Sequence, residues 1–347
     1  MPKFTSIDSL KQARASQTYE GVLEARLNNK PIEVPKKVIN GEMEVFELTK
    51  PIGEMLTSDQ GAEELLKKVV LDVELGREEV PLLYKSIYRT IADRSLPKII
   101  DATFAQRGVV YFTEWREGEE IKFGALEAES GPTARLTTYA AGFEYTEDME
   151  EYNEAFSMQM LNQAFGEAYN ALLNHIHLSP IITHTYPSEN VTELTTEEAS
   201  AITGEYAKER QTQAVLRKAI QASRQAGRNG SILLANSADQ FQIEDAFKSY
   251  TVGATPYEPV SGIDEVIFYD GWEVTVGKKT YRYDGVPQGK AFLVRPKKGF
   301  IEFEKHGLIV DAALSDLSRL VEAQIVARTR RGVYAAVEDN VQQINLP

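Results

Sequence analysis

The chain has 347 residues, 42% of them hydrophobic, enough for one large domain or two medium ones with real cores, which sets intrinsic disorder aside. Its 52 acidic residues outnumber 38 basic ones for a formal net charge of −14, which argues against a sequence-reading nucleic-acid binder with a broad basic face but allows an acidic wall past which DNA slides. Cysteine is absent, which excludes disulfides, thiolate metal sites and a cysteine nucleophile. Residues 1–16 lack the apolar core of a secretion signal, and no apolar run is long enough to cross a bilayer, so a soluble, cytoplasmically made chain is expected.

Residues 1–58 mix polar residues with short apolar runs, and Pro31, Pro35 and Pro51 interrupt any long helix, so the segment reads as an extended arm. Ser58 is placed to cap a helix whose Leu65, Leu66, Val69 and Val70 share one face. A second helix is expected over 82–92, with Leu82, Leu83, Ile87 and Ile91 on one stripe. Between Asp101 and Gly131 the pattern turns to strands: Val109–Phe112 and Ile121–Phe123 flank the charged turn Trp115-Arg116-Glu117-Gly118-Glu119-Glu120, a long hairpin with a solvated tip.

A strand over 134–145 runs straight into the strongest helical pattern of the chain. Thr146 can cap this helix, with Glu147 and Asp148 in its first turn, where carboxylates meet the positive end of the dipole. Its apolar stripe from Met149 to Leu172 carries it to about Asn174, roughly 40 Å at 1.5 Å per residue. Residues 175–204 read as a loop rich in Ser, Thr and Glu. A helix follows over 207–226, stopped by Gly227, then a buried strand at 231–236 and a helix at 238–247. Strands are expected at 265–269, 272–276, 279–283 and 291–294, and then at 300–303, 308–310, 320–329 and 333–337, with a helical turn or two over 312–320. The class is mixed α+β.

Few residues suggest chemistry. His175, His177 and His184, with Glu189, could chelate a divalent ion, but His175 and His177 fall at the expected end of a helix, where capping carbonyls is the preferred role. The carboxylates Asp148, Glu150, Glu151 and Glu154 stand at helical spacings, yet a charge run at a helix start is ordinarily a solvated face. Residues 271–280 have two glycines followed by two lysines, but alternation around them makes a hairpin and not a phosphate loop. There is no nucleophile elbow and no dinucleotide fingerprint. No catalytic residue, cofactor or metal is expected.

The order of parts, with Gly124–Gly131, Thr138–Met149, Val321–Arg328 and Arg331–Tyr334 as its markers, resembles the major capsid protein of tailed bacteriophages, the Hong Kong 97-type capsid fold shared with encapsulins. The resemblance implies an N-terminal arm at 1–58, helices at 59–100, an extended hairpin loop at 101–135 and a peripheral domain with its spine helix at 136–205. It further implies an axial domain at 206–298 and peripheral strands at 299–347. It implies no enzyme: the chain would self-assemble through pentamers and hexamers into the icosahedral shell around a double-stranded DNA genome, in the host bacterial cytoplasm, and reside in the virion. Expected partners are a separate scaffolding protein, a portal protein, a decoration protein in some members, and packaged DNA by non-specific contact, with no membrane. Inter-subunit contacts would fall on Trp115, Arg116, Glu117, Glu119, Lys122, Asp148 and Glu151. Some members are welded by Lys–Asn isopeptide bonds; Lys122 and Asn340 are the residues here, but no catalytic glutamate matches, so no cross-link is expected. Alternatives are an encapsulin-like nanocompartment shell, a tail or adaptor protein, and a soluble metal-dependent enzyme using His175, His177 and His184.

Overall fold

The structure, a computed structural model, describes residues 2–5, 24–34, 38–39, 42–43, 55, 58–101, 133–146, 155–252, 255–276, 278–316 and 321–347. The N-terminal pieces are strands β1 (Lys3–Thr5), β2 (Glu24–Leu27), β3 (Lys30–Ile32), β4 (Val38–Ile39) and β5 (Glu42–Met43). Asn28 and Asn29 both take positive φ, the backbone a two-residue hairpin turn requires, and fold β3 back on β2. Helix α1 (Asp59–Glu79) starts where the sequence places it: the Ser58 side chain accepts from the Gly61 N–H at 3.1 Å. Its stripe of Ala62, Leu65, Leu66, Val69, Val70 and Val73 is buried.

No helix forms over 82–92. Residues Tyr84–Ser86 make a single 3-10 turn, and β6 (Arg89–Ala92) pairs in parallel with Ile301–Glu304. The apolar spacing is satisfied within that turn, since Leu83 and Ile87 are buried, while residues 89–92 find their backbone partners on a distant strand. Next, β7 (Ile99–Asp101) and β8 (Thr133–Arg135) pair antiparallel, so the two ends of segment 102–132 stand side by side. After β9 (Thr137–Thr146) comes α2 (Ala155–Ile182), 28 residues and about 42 Å long. Thr146 belongs to β9, and residues 147–154 fall outside the described set.

Helix α2 overruns its expected end at Asn174 and contains Pro180. The proline removes one helical hydrogen bond, but His177, Leu178 and Ile181 continue the buried stripe, and burial outweighs that loss. The expected loop through 204 therefore begins late. It also holds a 3-10 turn at Ser188–Asn190, β10 (Val191–Thr192) and α3 (Thr196–Ala201), the last started by a capping box between Thr195 and Glu198.

Helix α4 (Ala207–Gln225), β11 (Ile232–Ala235) and α5 (Gln240–Ala246) follow as expected, with Gly227 at φ +72 just past α4. Then come β12 (Tyr250–Val252), β13 (Thr255–Tyr257), β14 (Glu265–Phe268), the hairpin of β15 (Gly271–Val276) and β16 (Lys279–Asp284), and β17 (Lys290–Val294). The last segment differs from its sequence reading. The expected short strands are continuous: β18 (Phe300–Asp316) and β19 (Val321–Ala335) form one antiparallel ribbon, bulged between Glu304 and Ile309. Residues 312–316 are strand and not a helical turn, because Ala312 pairs with both Ile325 and Leu27. Beyond the short helix α6 (Val337–Asn340), β20 (Val341–Asn345) was not expected at all.

Two six-stranded sheets organise these elements. One runs β1-β14-β11-β17-β20-β10 in mixed orientation, taking strands from both ends of the chain. Its central strands are buried on both faces. Ile232, Leu234, Phe292 and Val294 feed the main core, while Leu233, Ala235, Ala291 and Leu293 pack with Val215, Leu216 and Ala219 of α4 in a second core. The other sheet runs β3-β2-β18-β19-β9, with β6 also on β18. At about 3.3 Å per residue, the 17 residues of β18 span about 55 Å.

Helices α1 and α2 meet backbone to backbone. A Cβ on Gly76 would sit 1.9 Å from Gln163 O, and one on Gly166 2.0 Å from Val73 O, so no side chain fits at either position. Asparagines of α2 then cap the end of α1: Asn170 Nδ2 donates to Arg77 O and Val80 O (2.6 and 2.8 Å), and Asn174 Nδ2 donates to Pro81 O (2.9 Å). No helix among the described residues is long and apolar enough to cross a membrane.

Candidate functional site

The residues the sequence singles out for subunit contacts, Trp115, Arg116, Glu117, Glu119, Lys122, Asp148 and Glu151, lie outside the described residues. The three histidines do not come together as ligands. His175 stacks on Tyr283 of β16 with ring centroids 4.6 Å apart, His177 is sealed in the main core, and His184 Nε2 lies 3.2 Å from Glu338 Oε1. Neither His175 nor His177 caps a helix end, because α2 continues past both. Burial lowers the pKa of His175, with the Asp284 charge acting in the other direction. Among the described residues no three or more metal-capable side chains gather. Asn340 is buried, its Nδ2 donating to Ala336 O at 2.9 Å.

The structure instead concentrates charge where α2 crosses the ribbon. Glu302 of β18, 1% exposed, shares the strand face of Phe300 and points inward. Its Oε1 accepts from Arg331 Nη1 of β19 and from Tyr84 OH (3.1 Å), and its Oε2 accepts from Thr90 Oγ1 (2.8 Å). Arg331 also donates through Nε to Thr329 Oγ1 (3.2 Å) and through Nη2 to Tyr169 OH (3.2 Å), and it pairs with Glu304 at 3.2 Å. His177 Nδ1 is 2.6 Å from Leu173 O, which makes it the donor, and its Nε2 lies 3.3 Å from Glu302 Oε1. The ring is clamped by Tyr84, stacked at 3.7 Å, and by Tyr88, edge-on at 4.9 Å.

Charges in such a place need full pairing, and Glu302 and Arg331 have it. Burial drives the Glu302 pKa up, but the His177 contact and the Arg331 charge overcome it and hold the carboxyl down at about 2. Burial opposes the Arg331 charge as well, yet Tyr169, Glu302, Tyr84 and Glu304 keep the guanidinium above its ordinary range. Tyr84 and Tyr88 are both raised, chiefly by burial. The cluster acts as a fastener: α2, the 3-10 turn, β6 and both strands of the ribbon are tied at one point. The sequence signal for it was the pairing of Glu302 with Phe300 on one face of a strand, an acid at a core position.

A second fastener joins the other sheet to its surroundings. Arg228, just past α4, has no carboxylate partner among the described residues; it donates to Glu338 O, Gln342 Oε1 and Asn190 Oδ1 at 3.2, 2.9 and 2.5 Å. Asn190 Nδ2 then donates to Glu338 O (2.6 Å) and Val341 O (3.1 Å), and Gln342 Nε2 donates to Thr192 Oγ1 (2.9 Å).

No family model matches the sequence, and no curated protein matches it. Solved structures do. The chain is similar to a virus-like particle from Pyrococcus furiosus at 9% identity and TM-score 0.47, covering 81% of this chain and 99% of that one. It is similar to the mature capsid of bacteriophage PhiM1 (10% identity, TM-score 0.46, 76% and 87% covered) and to the capsid of cyanophage P-SCSP1u (12% identity, TM-score 0.45, 76% and 88% covered). At these identities and scores the likeness is one of overall course and assigns neither a function nor a site residue.

Proposed function

We propose that the chain is the major capsid protein of a tailed bacteriophage: a structural subunit, not a catalyst, that closes into the shell around a double-stranded DNA genome. The observation that carries this reading is the arrangement of parts. A segment, 102–132, is held by the pairing of β7 with β8 at its feet; strand β9 precedes the longest helix; and that helix is pinned by a buried ion network to a ribbon about 55 Å long. A catalyst spends buried charge on an open site, whereas here the buried charge ties elements together.

Shells close when one subunit repeats the same heterologous contacts around symmetry axes, and many modest contacts then act together. On this reading the hairpin tip, with Trp115, Arg116, Glu117, Glu119 and Lys122, reaches a neighbouring subunit, and Asp148 and Glu151 meet another. Residues 206–298 supply the contacts around pentamer and hexamer axes. Phe241 and Met160, 78% and 56% exposed in the isolated chain, are large apolar side chains that such contacts would cover. Scaffolding and portal proteins are its partners during assembly, and the virion capsid is its destination.

Sedimentation velocity of the purified full-length chain tests the reading. Boundaries corresponding to pentamers, hexamers or closed shells are expected. A single monomeric species at every concentration, with or without the proteins encoded beside it, would contradict it.

A further inference from the structure

A concavity of about 600 Å³ opens where the feet of segment 102–132 meet the ribbon, and four cations from four places in the chain line it. Lys98 precedes β7, Arg135 ends β8, Lys305 stands at the bulge of β18, and Arg330 lies on β19 across from Thr138. Leu136, Thr137 and Thr138 also line it, and among the described residues no carboxylate does.

In a chain of net charge −14 this concentration is unusual. Several surface cations elsewhere sit beside acids, as Lys67 does with Glu63 (2.8 Å), Lys218 with Glu198 (2.7 Å) and Arg328 with Asp311 (2.9 Å). None of the four pocket cations makes an ion pair among the described residues. Asp93, whose carboxylate feels Lys305, is turned to the backbone and hydroxyl of Ser95 at 2.8 and 2.7 Å.

Two of the cations are also held in place. Lys305 Nζ donates to Leu96 O at 2.6 Å, and Arg330 Nε donates to Thr138 Oγ1 at 3.0 Å, while its two η nitrogens have no hydrogen-bond partner among the described residues. The field of this face reaches His306: burial first, then Arg330, Arg94 and Lys305, hold its pKa down, against Glu24. Pre-positioned like charges around a cavity repel one another until an anion enters.

We propose that this pocket binds a phosphate-bearing polyanion. Arg135 and Arg330 present forked donors that match phosphate oxygens, Lys98 and Lys305 act as point charges, and the Thr138 hydroxyl stands beside Arg330. A phosphoryl group suits four cations better than a carboxylate, since it brings up to about two negative charges and three acceptor oxygens. Small polyphosphates and the nucleic-acid backbone share this chemistry. The inference does not depend on the shell reading.

Titration of the unassembled full-length chain with inorganic triphosphate, and separately with a short DNA duplex, tests it at low salt. Lys305→Gln/Arg330→Gln is expected to weaken binding about 10-fold or more, since hydrogen bonds to charged groups are lost. Lys208→Gln/Lys290→Gln, which removes the same charge elsewhere, should leave it unchanged. Lys98→Gln/Arg135→Gln gives a second reading from cations outside the two anchoring hydrogen bonds, should the first pair perturb folding. Triphosphate binding alone assigns the site to a small polyphosphate; duplex binding that falls steeply with salt assigns it to a nucleic-acid backbone. No binding of either probe, equal losses in pocket and control variants, or binding of a glutamate-rich peptide in place of both phosphates would overturn the proposal.

Discussion

Replacing Glu302 by Gln removes one charge from a site where every partner is placed for it. Arg331 then remains buried, facing Tyr84, Tyr169 and the half-buried Glu304. Breaking a buried ion pair from one side costs about 3–5 kcal/mol. Proton linkage gives an independent figure. The Glu302 pKa is lowered from 4.5 to about 2 on folding, which corresponds to a contribution on the order of 3 kcal/mol at neutral pH. With an unfolding entropy of ~2.1 cal/mol/K per residue over 347 residues, a loss of that size lowers Tm by about 4 °C. Because the folded pKa is depressed, the contribution is complete above the unfolded value of 4.5 and is lost as pH falls toward about 2. The gap in Tm between wild type and Glu302→Gln should therefore be widest at neutral pH and close across that acid window. Arg331→Met added to Glu302→Gln should cost less than Arg331→Met alone, because the pair is coupled. A gap under about 1 °C at neutral pH, or one that persists unchanged to about pH 2, would refute the reasoning.

Gly166→Ala places a methyl group 2.0 Å from Val73 O, with backbone on both sides, and should cost about 3 kcal/mol or more in chemical denaturation. Gly307→Ala, whose new Cβ meets only the movable Glu304 Oε1 at 3.1 Å, should cost under about 1 kcal/mol. Ser58→Ala removes the cap of α1 and should lower stability by about 1 kcal/mol, while Ser58→Asp should retain it. Arg228→Ala leaves Asn190 Oδ1 and Gln342 Oε1 without their donor and should shift the urea midpoint by the equivalent of about 3 kcal/mol.

Elements whose signal is local were legible. Ser58 and the stripe of Leu65, Leu66, Val69 and Val70 specify α1, and the run Ile232–Ala235 specifies a strand buried on both faces, as β11 is. Elements whose partners lie far away were not. Residues 89–92 carry a weak local preference and take their structure from Ile301–Glu304. Residues 341–345 are half polar, and Gln342 is buried because Arg228 and Thr192 receive it. Pro180 signalled a break that burial of its neighbours overrode. The buried network was hidden for the same reason: Glu302 and Arg331 are 29 residues apart, and Glu302 and Tyr84 are 218 apart, so they meet through strand register and helix packing alone. The histidines at 175, 177 and 184 are close in sequence, but α2 and the loop beyond it turn them to three different sets of partners.

Electron microscopy of the negatively stained chain, expressed alone and together with the proteins encoded beside it, tests the central claim most directly. The account predicts closed shells tens of nanometres across, built from pentamers and hexamers of this one chain. Particles no larger than a monomer in both preparations would contradict it.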